Sequence, residues 1–101
     1  MKTTKSKWVQ VGEFGVDSGQ VLITDPCYLR SWVDNDFKEQ TESRSYSYEG
    51  ACNATLSEEM AGKIGTMEDG VAISTGYGDG VYPVYVLYKD GRVKEVKIKF
   101  F

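Results

Sequence analysis

The chain ends in a strict alternation of apolar and charged residues, which constrains its fold more than any other feature. Within 95–100 one face carries Val96, Ile98 and Phe100, and the other carries Glu95, Lys97 and Lys99. This period of two is typical of a half-buried β-strand. Asp90-Gly91 separates this run from VYPVYVLYK at 81–89. Asp-Gly favours a type I′ turn, with positive φ at both central residues, so these runs predict an antiparallel hairpin.

The run 81–89 is apolar on both faces, which favours an inner strand, although Pro83 is more typical of an edge, a strand start or a bulge. Asp17-Ser18-Gly19 predicts a turn between two further strands, and Glu68-Asp69-Gly70 predicts a second hairpin. The other predicted strands cover 7–16, 20–25, 45–53 and 71–75, with the Gly-rich GYGDG loop at 76–80 leading into 81–89.

Helix signals are few. Ser57 is a candidate N-cap for a short helix over 58–61, which Gly62 would end. Asp25 followed by Pro26 predicts another helix start, with a cap and then proline at the first helical position. Residues 34–44 are polar and without periodicity, so we expect a surface loop there.

These patterns together predict a mainly β fold in one domain covering residues 1–101. We expect an antiparallel sandwich or a strongly bent sheet of six to eight strands, with one or two short helices. No apolar run reaches the roughly 20 residues that span a bilayer, and the basic N-terminus lacks the apolar segment of a signal peptide. The expected compartment is the cytoplasm, where the two cysteines would be reduced thiols.

The absence of histidine from the chain limits the chemistry that it can perform. It removes Ser-His-Asp and Cys-His catalysis and every histidine-bearing zinc site. There is no P-loop motif, and GYGDG lies between predicted strands rather than before a helix. We therefore expect no catalytic residue, no metal and no cofactor. A hydrolase or metal enzyme using Asp17, Asp25 and Asp79 is the weakest hypothesis, because all three lie in turn contexts that explain them.

Charge is unevenly distributed along the chain, whose net charge is −3. Residues 33–69 carry nine acids and three bases, a net of −6, whereas residues 89–101 carry five bases and two acids, a net of +3. Overall acidity argues against binding long nucleic acid, which needs many phosphates neutralised. The basic tail could still meet a small anion, although such a pattern is usually a solvated strand face.

Aromatic residues are numerous, with seven tyrosines, two tryptophans and four phenylalanines among 101 residues. Most are expected in the core, but those in loops could stack a nucleobase beside a basic residue or anchor a protein partner. The predicted ligand-binding residues, which combine such aromatics with turn carboxylates and one arginine, are Asp25, Tyr28, Arg30, Trp32, Tyr77, Asp79 and Tyr85. We expect Asp25, Tyr28 and Arg30 to face the GYGDG loop across the ligand.

Two motifs carry a resemblance to a family of small uncharacterised bacterial and phage proteins. The early motif, within VDSGQVLITDPCYL, has the form D-S-G-x5-D-P, and the late one, within TGYGDGVYPVY, has the form G-x-G-D-G-x-Y-P-V-Y. The resemblance covers about 40 residues at the two ends of the chain. It implies a β-rich fold with the two motifs adjacent and a phage or mobile-element setting, and it supplies no activity.

The first functional expectation is therefore a non-enzymatic binding module. It would be a phage-type accessory protein that sequesters a small anionic or nucleotide ligand, such as a nucleotide signal of host defence, as a homo-oligomer in the cytoplasm. The alternative is a protein-binding inhibitor or immunity-type protein that presents its acidic middle segment to a basic partner. Its key residues would be Asp34, Asp36, Glu39 and Glu42.

Overall fold

The computed structural model describes residues 7–33 and 44–101, and within them the predicted mainly β class is confirmed. Six strands form two antiparallel sheets in this part of the chain, accompanied by two short helices. The elements in chain order are β1 (Trp8–Val16), β2 (Gln20–Thr24), a 3₁₀ helix (Pro26–Ser31), α1 (Tyr48–Thr55), β3 (Ala61–Ile64), β4 (Gly70–Ser74), β5 (Gly80–Lys89) and β6 (Arg92–Ile98). No helix of the described residues is long and apolar enough to cross a membrane.

The first sheet has the order β1-β5-β6, which confirms the prediction of an inner strand at 81–89. Asp90 and Gly91 have φ values of 54° and 75°, as the predicted type I′ hairpin between β5 and β6 requires. Pro83 lies within this central strand opposite Glu13, and its carbonyl accepts a hydrogen bond from Lys99 N at 3.4 Å. Pro83 therefore has no backbone N–H to donate to a neighbouring strand, but its carbonyl still accepts a hydrogen bond.

The second sheet has the order β2-β4-β3, and α1 packs across one of its faces. The predicted hairpin across Glu68-Asp69-Gly70 is confirmed as β3 and β4. Helix and sheet share a core of Tyr46, Ala51, Ala54, Ile64 and Ala72, against which Leu22 and Trp32 pack. Three of the five core residues are alanines, so the helix backbone lies close to the strands and little space is left for solvent.

The two sheets meet where Val16 and Tyr82 of the first contact Val21 of the second. At this junction Thr75 N donates to the Gly19 carbonyl at 3.0 Å, which joins the DSG turn to the segment leading into GYGDG. The Gly78 carbonyl accepts hydrogen bonds from Thr75 Oγ1 at 2.9 Å and from Tyr82 Oη at 2.7 Å. The two ends of the chain that carry the motifs are therefore adjacent here, and their contacts organise the loop.

Two sequence predictions between 45 and 61 are wrong. The predicted strand over 45–53 is instead α1, because Ser47 caps it by accepting a hydrogen bond from Gly50 N at 2.9 Å. The predicted helix over 58–61 is instead a turn that leads into β3, with Met60 at a φ of 59°. In both places tertiary packing outweighs the propensity of a short local segment, because α1 packs on the sheet in which β3 is an outer strand. The predicted loop at 34–44 falls outside the described residues except for Arg44.

Candidate functional site

The 3₁₀ helix and its N-cap carry three of the seven predicted ligand-binding residues, and all three are exposed. Asp25 caps the helix as predicted, accepting a hydrogen bond from Cys27 N at 2.9 Å. Tyr28 and Arg30 follow on the helix, with Tyr28 43 % exposed. The capping bond gives Asp25 a structural role, and Tyr28 N donates to the Asp25 carbonyl at 2.9 Å in the first turn of the helix.

Tyr77 and Asp79 lie in the GYGDG loop, at the other end of β2 from Asp25. Gln20 pairs with Ser74 beside this loop, while Thr24 pairs with Gly70 beside the 3₁₀ helix. At about 3.3 Å per residue the two ends of β2 are about 13 Å apart. Asp25, Tyr28 and Arg30 therefore lie near the opposite end of β2 from the GYGDG loop. Tyr77 stacks on Phe101, with 5.2 Å between ring centroids.

Tyr85 lies apart from both groups, on the first sheet. Its ring faces the Lys97 ammonium, whose Nζ is 5.5 Å from the Tyr85 centroid and 4.2 Å from the Trp8 centroid. The cation therefore already lies between two aromatic faces, an arrangement that stabilises the pairing of β1, β5 and β6. In this place the basic tail and the aromatic side chains contact one another.

Trp32, one of the predicted ligand-binding residues, lines a cleft formed by described residues. The cleft has a volume of about 220 Å³ and lies along β2, which pairs only with β4 among the described strands. Trp32 and Tyr48 supply its aromatic walls, and Ser18 lies at the DSG turn. Its lining residues, which come from the turn, β2, the residue after the 3₁₀ helix and α1, are Ser18, Gln20, Val21, Leu22, Trp32, Tyr48 and Ala51.

Contacts behind the cleft hold its walls in place. Trp32 meets Tyr46 edge to face, with 5.1 Å between centroids and an interplanar angle of 81°. The Gln20 amide is oriented by α1, because its Nε2 donates to Cys52 Sγ at 3.4 Å and its Oε1 accepts from Thr55 Oγ1 at 3.1 Å. A preformed aromatic wall and an oriented amide are features of small-molecule sites.

The lining residues carry no carboxylate, thiol, lysine or arginine, and the chain has no histidine that could activate the Ser18 hydroxyl. Sequence reasoning missed Gln20 and Tyr48 as site residues. The alternation at 45–53 predicts a strand for Tyr48, and Gln20 carries only the signal of a strand residue. The signal that could have found the cleft is the Ser47 cap, since a helix starting there turns Tyr48 towards the edge of β2.

The carboxylates of the weakest hypothesis do not converge. Among the described residues no three acidic or cysteine side chains come together as a metal-ligand set. The acidic residues of the alternative hypothesis, Asp34, Asp36, Glu39 and Glu42, lie outside the described residues. That alternative stays a prediction from the sequence.

No curated protein and no solved structure matches the chain. A model of the family described as "Protein of unknown function (DUF4241)" matches residues 9–98. This match includes both motifs and all six strands of the two sheets except Trp8, the first residue of β1. The chain therefore belongs to the uncharacterised DUF4241 family.

Proposed function

We propose that the chain is a non-enzymatic binding module that holds a small planar molecule in the cleft beside β2. The observation that carries this proposal is the cleft of about 220 Å³ between Trp32 and Tyr48. Such a volume is smaller than the roughly 300–1,000 Å³ of sites for drug-sized ligands, which suits one ring system rather than a whole dinucleotide. The bound group would therefore be a single heterocycle, with the rest of the ligand outside.

The chemistry of the walls favours a nucleobase as that heterocycle. Aromatic side chains stack on any base, with a contribution of about 1–3 kcal/mol per base. Gln20 and Ser18 supply hydrogen-bonding groups at one end of an otherwise apolar lining. Phosphates would stay outside the cleft, where the exposed Arg30, two residues before Trp32, is the nearest cation along the chain.

Sequestration of a nucleotide signal by a phage-type protein in the cytoplasm is the setting that we propose for this site. Three features support it: the lining without carboxylate, thiol or basic groups, the aromatic walls, and the resemblance of the DSG and GDG motifs to bacterial and phage proteins. A protein that only sequesters its ligand needs a tight cleft and no reactive group, which agrees with a chain that lacks histidine.

Isothermal titration calorimetry with nucleosides, mononucleotides, and linear and cyclic dinucleotides tests the proposal. We expect heat from at least one base-containing ligand, and an affinity at least tenfold lower for Tyr48→Ala, because one stacking wall is lost. Ser18→Tyr should also abolish binding, since a large ring at the exposed Ser18 position would fill the mouth of the cleft. Circular dichroism checks that both variants fold.

The matched control is Tyr28→Ala. Tyr28 and Tyr48 are 43 % and 40 % exposed, but only Tyr48 lines the cleft. We expect the Tyr28 variant to bind within twofold of the unmodified chain. Equal losses for both tyrosines would place the site elsewhere, and absence of heat with every ligand of the panel would reject nucleotide binding altogether.

A further inference from the structure

At its paired positions, one face of the β1-β5-β6 sheet carries only apolar side chains and glycine. Residues paired directly across an antiparallel sheet point to the same side, so the register assigns ten side chains to this face. Together they form what we call the apolar face: Val9, Phe14 and Val16 from β1, Tyr82, Val84, Val86 and Tyr88 from β5, and Val93, Val96 and Ile98 from β6. The opposite face carries most of the charge, including Glu13, Glu95 and Lys97.

The apolar face is covered at one end and open at the other. At the covered end Val16 and Tyr82 contact Val21, with 5 % and 8 % of their surfaces exposed. At the open end the exposed fractions are 42 % for Val9, 46 % for Tyr88, 51 % for Val93 and 63 % for Val96. Soluble proteins rarely leave contiguous apolar surface of this kind without a partner.

We propose that a second copy of the chain covers this open end, with the two apolar faces packed as the layers of a sandwich about a twofold axis. A twofold axis places the same patch on both subunits, so the patch must be self-complementary. An uncharged face meets this condition, because no like charges are brought together. An acidic or basic protein partner would find no complementary charge there. Face-to-face packing at about 10 Å is also the ordinary way for two antiparallel sheets to bury their apolar sides.

The parts of the chain outside the described residues are poor candidates for covering the face. Residues 34–43 contain Phe37 as their one apolar side chain, and residues 1–6 contain Met1 as theirs. Two such side chains cannot replace the contacts that four half-exposed apolar residues require. A copy of the same face supplies a matching set.

The size of the open area agrees with a weak dimer. The open end consists of Val9, Tyr88, Val93 and Val96 with their partly buried neighbours. Together these side chains expose on the order of 500 Å² of apolar surface per copy. A pair would then bury on the order of 1,000 Å², near the lower limit of specific interfaces. We therefore expect a dimer that forms at micromolar or higher concentrations. This assembly is independent of ligand binding in the cleft, and its test uses no ligand.

Sedimentation equilibrium or light scattering over about 1–500 µM measures the assembly. The chain should pass from its monomer mass of 11.3 kDa towards twice that mass as concentration rises. Val96→Glu places a carboxylate within the open end and should raise the dissociation constant at least 30-fold. Val81→Glu is the matched control, because Val81 is 62 % exposed and lies on the opposite face. It should leave the dissociation constant within threefold.

Each other outcome overturns the proposal. A monomer at 500 µM excludes the second copy, and crosslinking from residues 1–6 or 34–43 to Val93 or Val96 positions within one chain would name the occupant instead. A dimer that survives Val96→Glu, or that Val81→Glu disrupts as strongly, would use a strand edge or the opposite face. Circular dichroism and urea unfolding of both variants show that neither result comes from loss of the fold.

Discussion

The β2-β4-β3 sheet has a helix on one face, whereas the apolar face of the β1-β5-β6 sheet is open over half its length. Where α1 packs on this sheet, Ala54 of the helix and Ile64 and Ala72 of the strands are completely buried. In the first sheet the most buried residues of the inner strand, Val86, Leu87 and Tyr82, retain 7–8 % exposure. The stability of the fold should therefore be concentrated in the helix-covered sheet, and the first sheet should depend more on its turns, its ladder and whatever covers its apolar face.

The largest expected effect is at Ile64. Ile64→Ala removes a fully buried side chain beneath α1 and leaves a cavity, at a cost of about 3 kcal/mol in the free energy of unfolding. Ile23→Ala, on a residue that is 51 % exposed in the same sheet, should cost about 1 kcal/mol or less. Urea unfolding followed by circular dichroism measures both. Equal losses would show that the helix-covered layer is not the main source of stability.

A substitution at Gly50 tests how closely α1 packs against the segment that precedes it in the chain. In Gly50→Ala the new Cβ would overlap the Ser45 carbonyl oxygen, which accepts a hydrogen bond from Ser47 N at 2.9 Å. Because that oxygen belongs to the backbone, relief requires a shift of the helix start, and we expect a loss of about 2 kcal/mol.

Gly15→Ala in β1 is the control for this substitution, measured by the same urea titration. No atom lies within 4 Å of the position that its Cβ would take, so stability should change by about 0.5 kcal/mol or less. A loss at Gly15 as large as that at Gly50 would mean that the first sheet is as tightly constrained as the helix-covered one.

The contrast between the two sheets also explains which parts of the fold can be predicted from the sequence. The first sheet follows from alternation and from Asp90-Gly91, because a strand with one apolar face and a turn with positive φ are local properties. Around α1 local signals compete. The alternation of Tyr46 and Tyr48 favours a strand, but the Ser47 cap and the packing of Ala51 and Ala54 on the sheet favour a helix.

The candidate site was predictable only in part, for a related reason. Trp32 stood out as an aromatic residue beside a basic one. Its partners in the cleft, Gln20 and Tyr48, lie 12 and 16 residues away along the chain, and they meet it only because α1 docks beside β2. Contacts that depend on tertiary packing produce no regular spacing of the contacting residues along the sequence. The turn positions of Asp25 and Asp79 can be predicted from the sequence. The distance that separates them along β2 follows only from the pairing of β2 with β4.

The smallest expected effect on the free energy of unfolding is at the junction between the two sheets. Tyr82→Phe removes the hydrogen bond from Tyr82 Oη to the Gly78 carbonyl but keeps the ring packed against Phe100, which it meets edge to face at 5.2 Å. The carbonyl retains its bond from Thr75 Oγ1, so it is not left without a donor, and the loss should be about 1 kcal/mol or slightly less. Tyr88→Phe, at a ring that is 46 % exposed, should change the urea midpoint very little. If both variants are neutral, the two-donor arrangement at Gly78 does not stabilise the junction. The GYGDG loop would then owe its conformation to its glycines, since Gly76 and Gly78 have φ values of 74° and 81°.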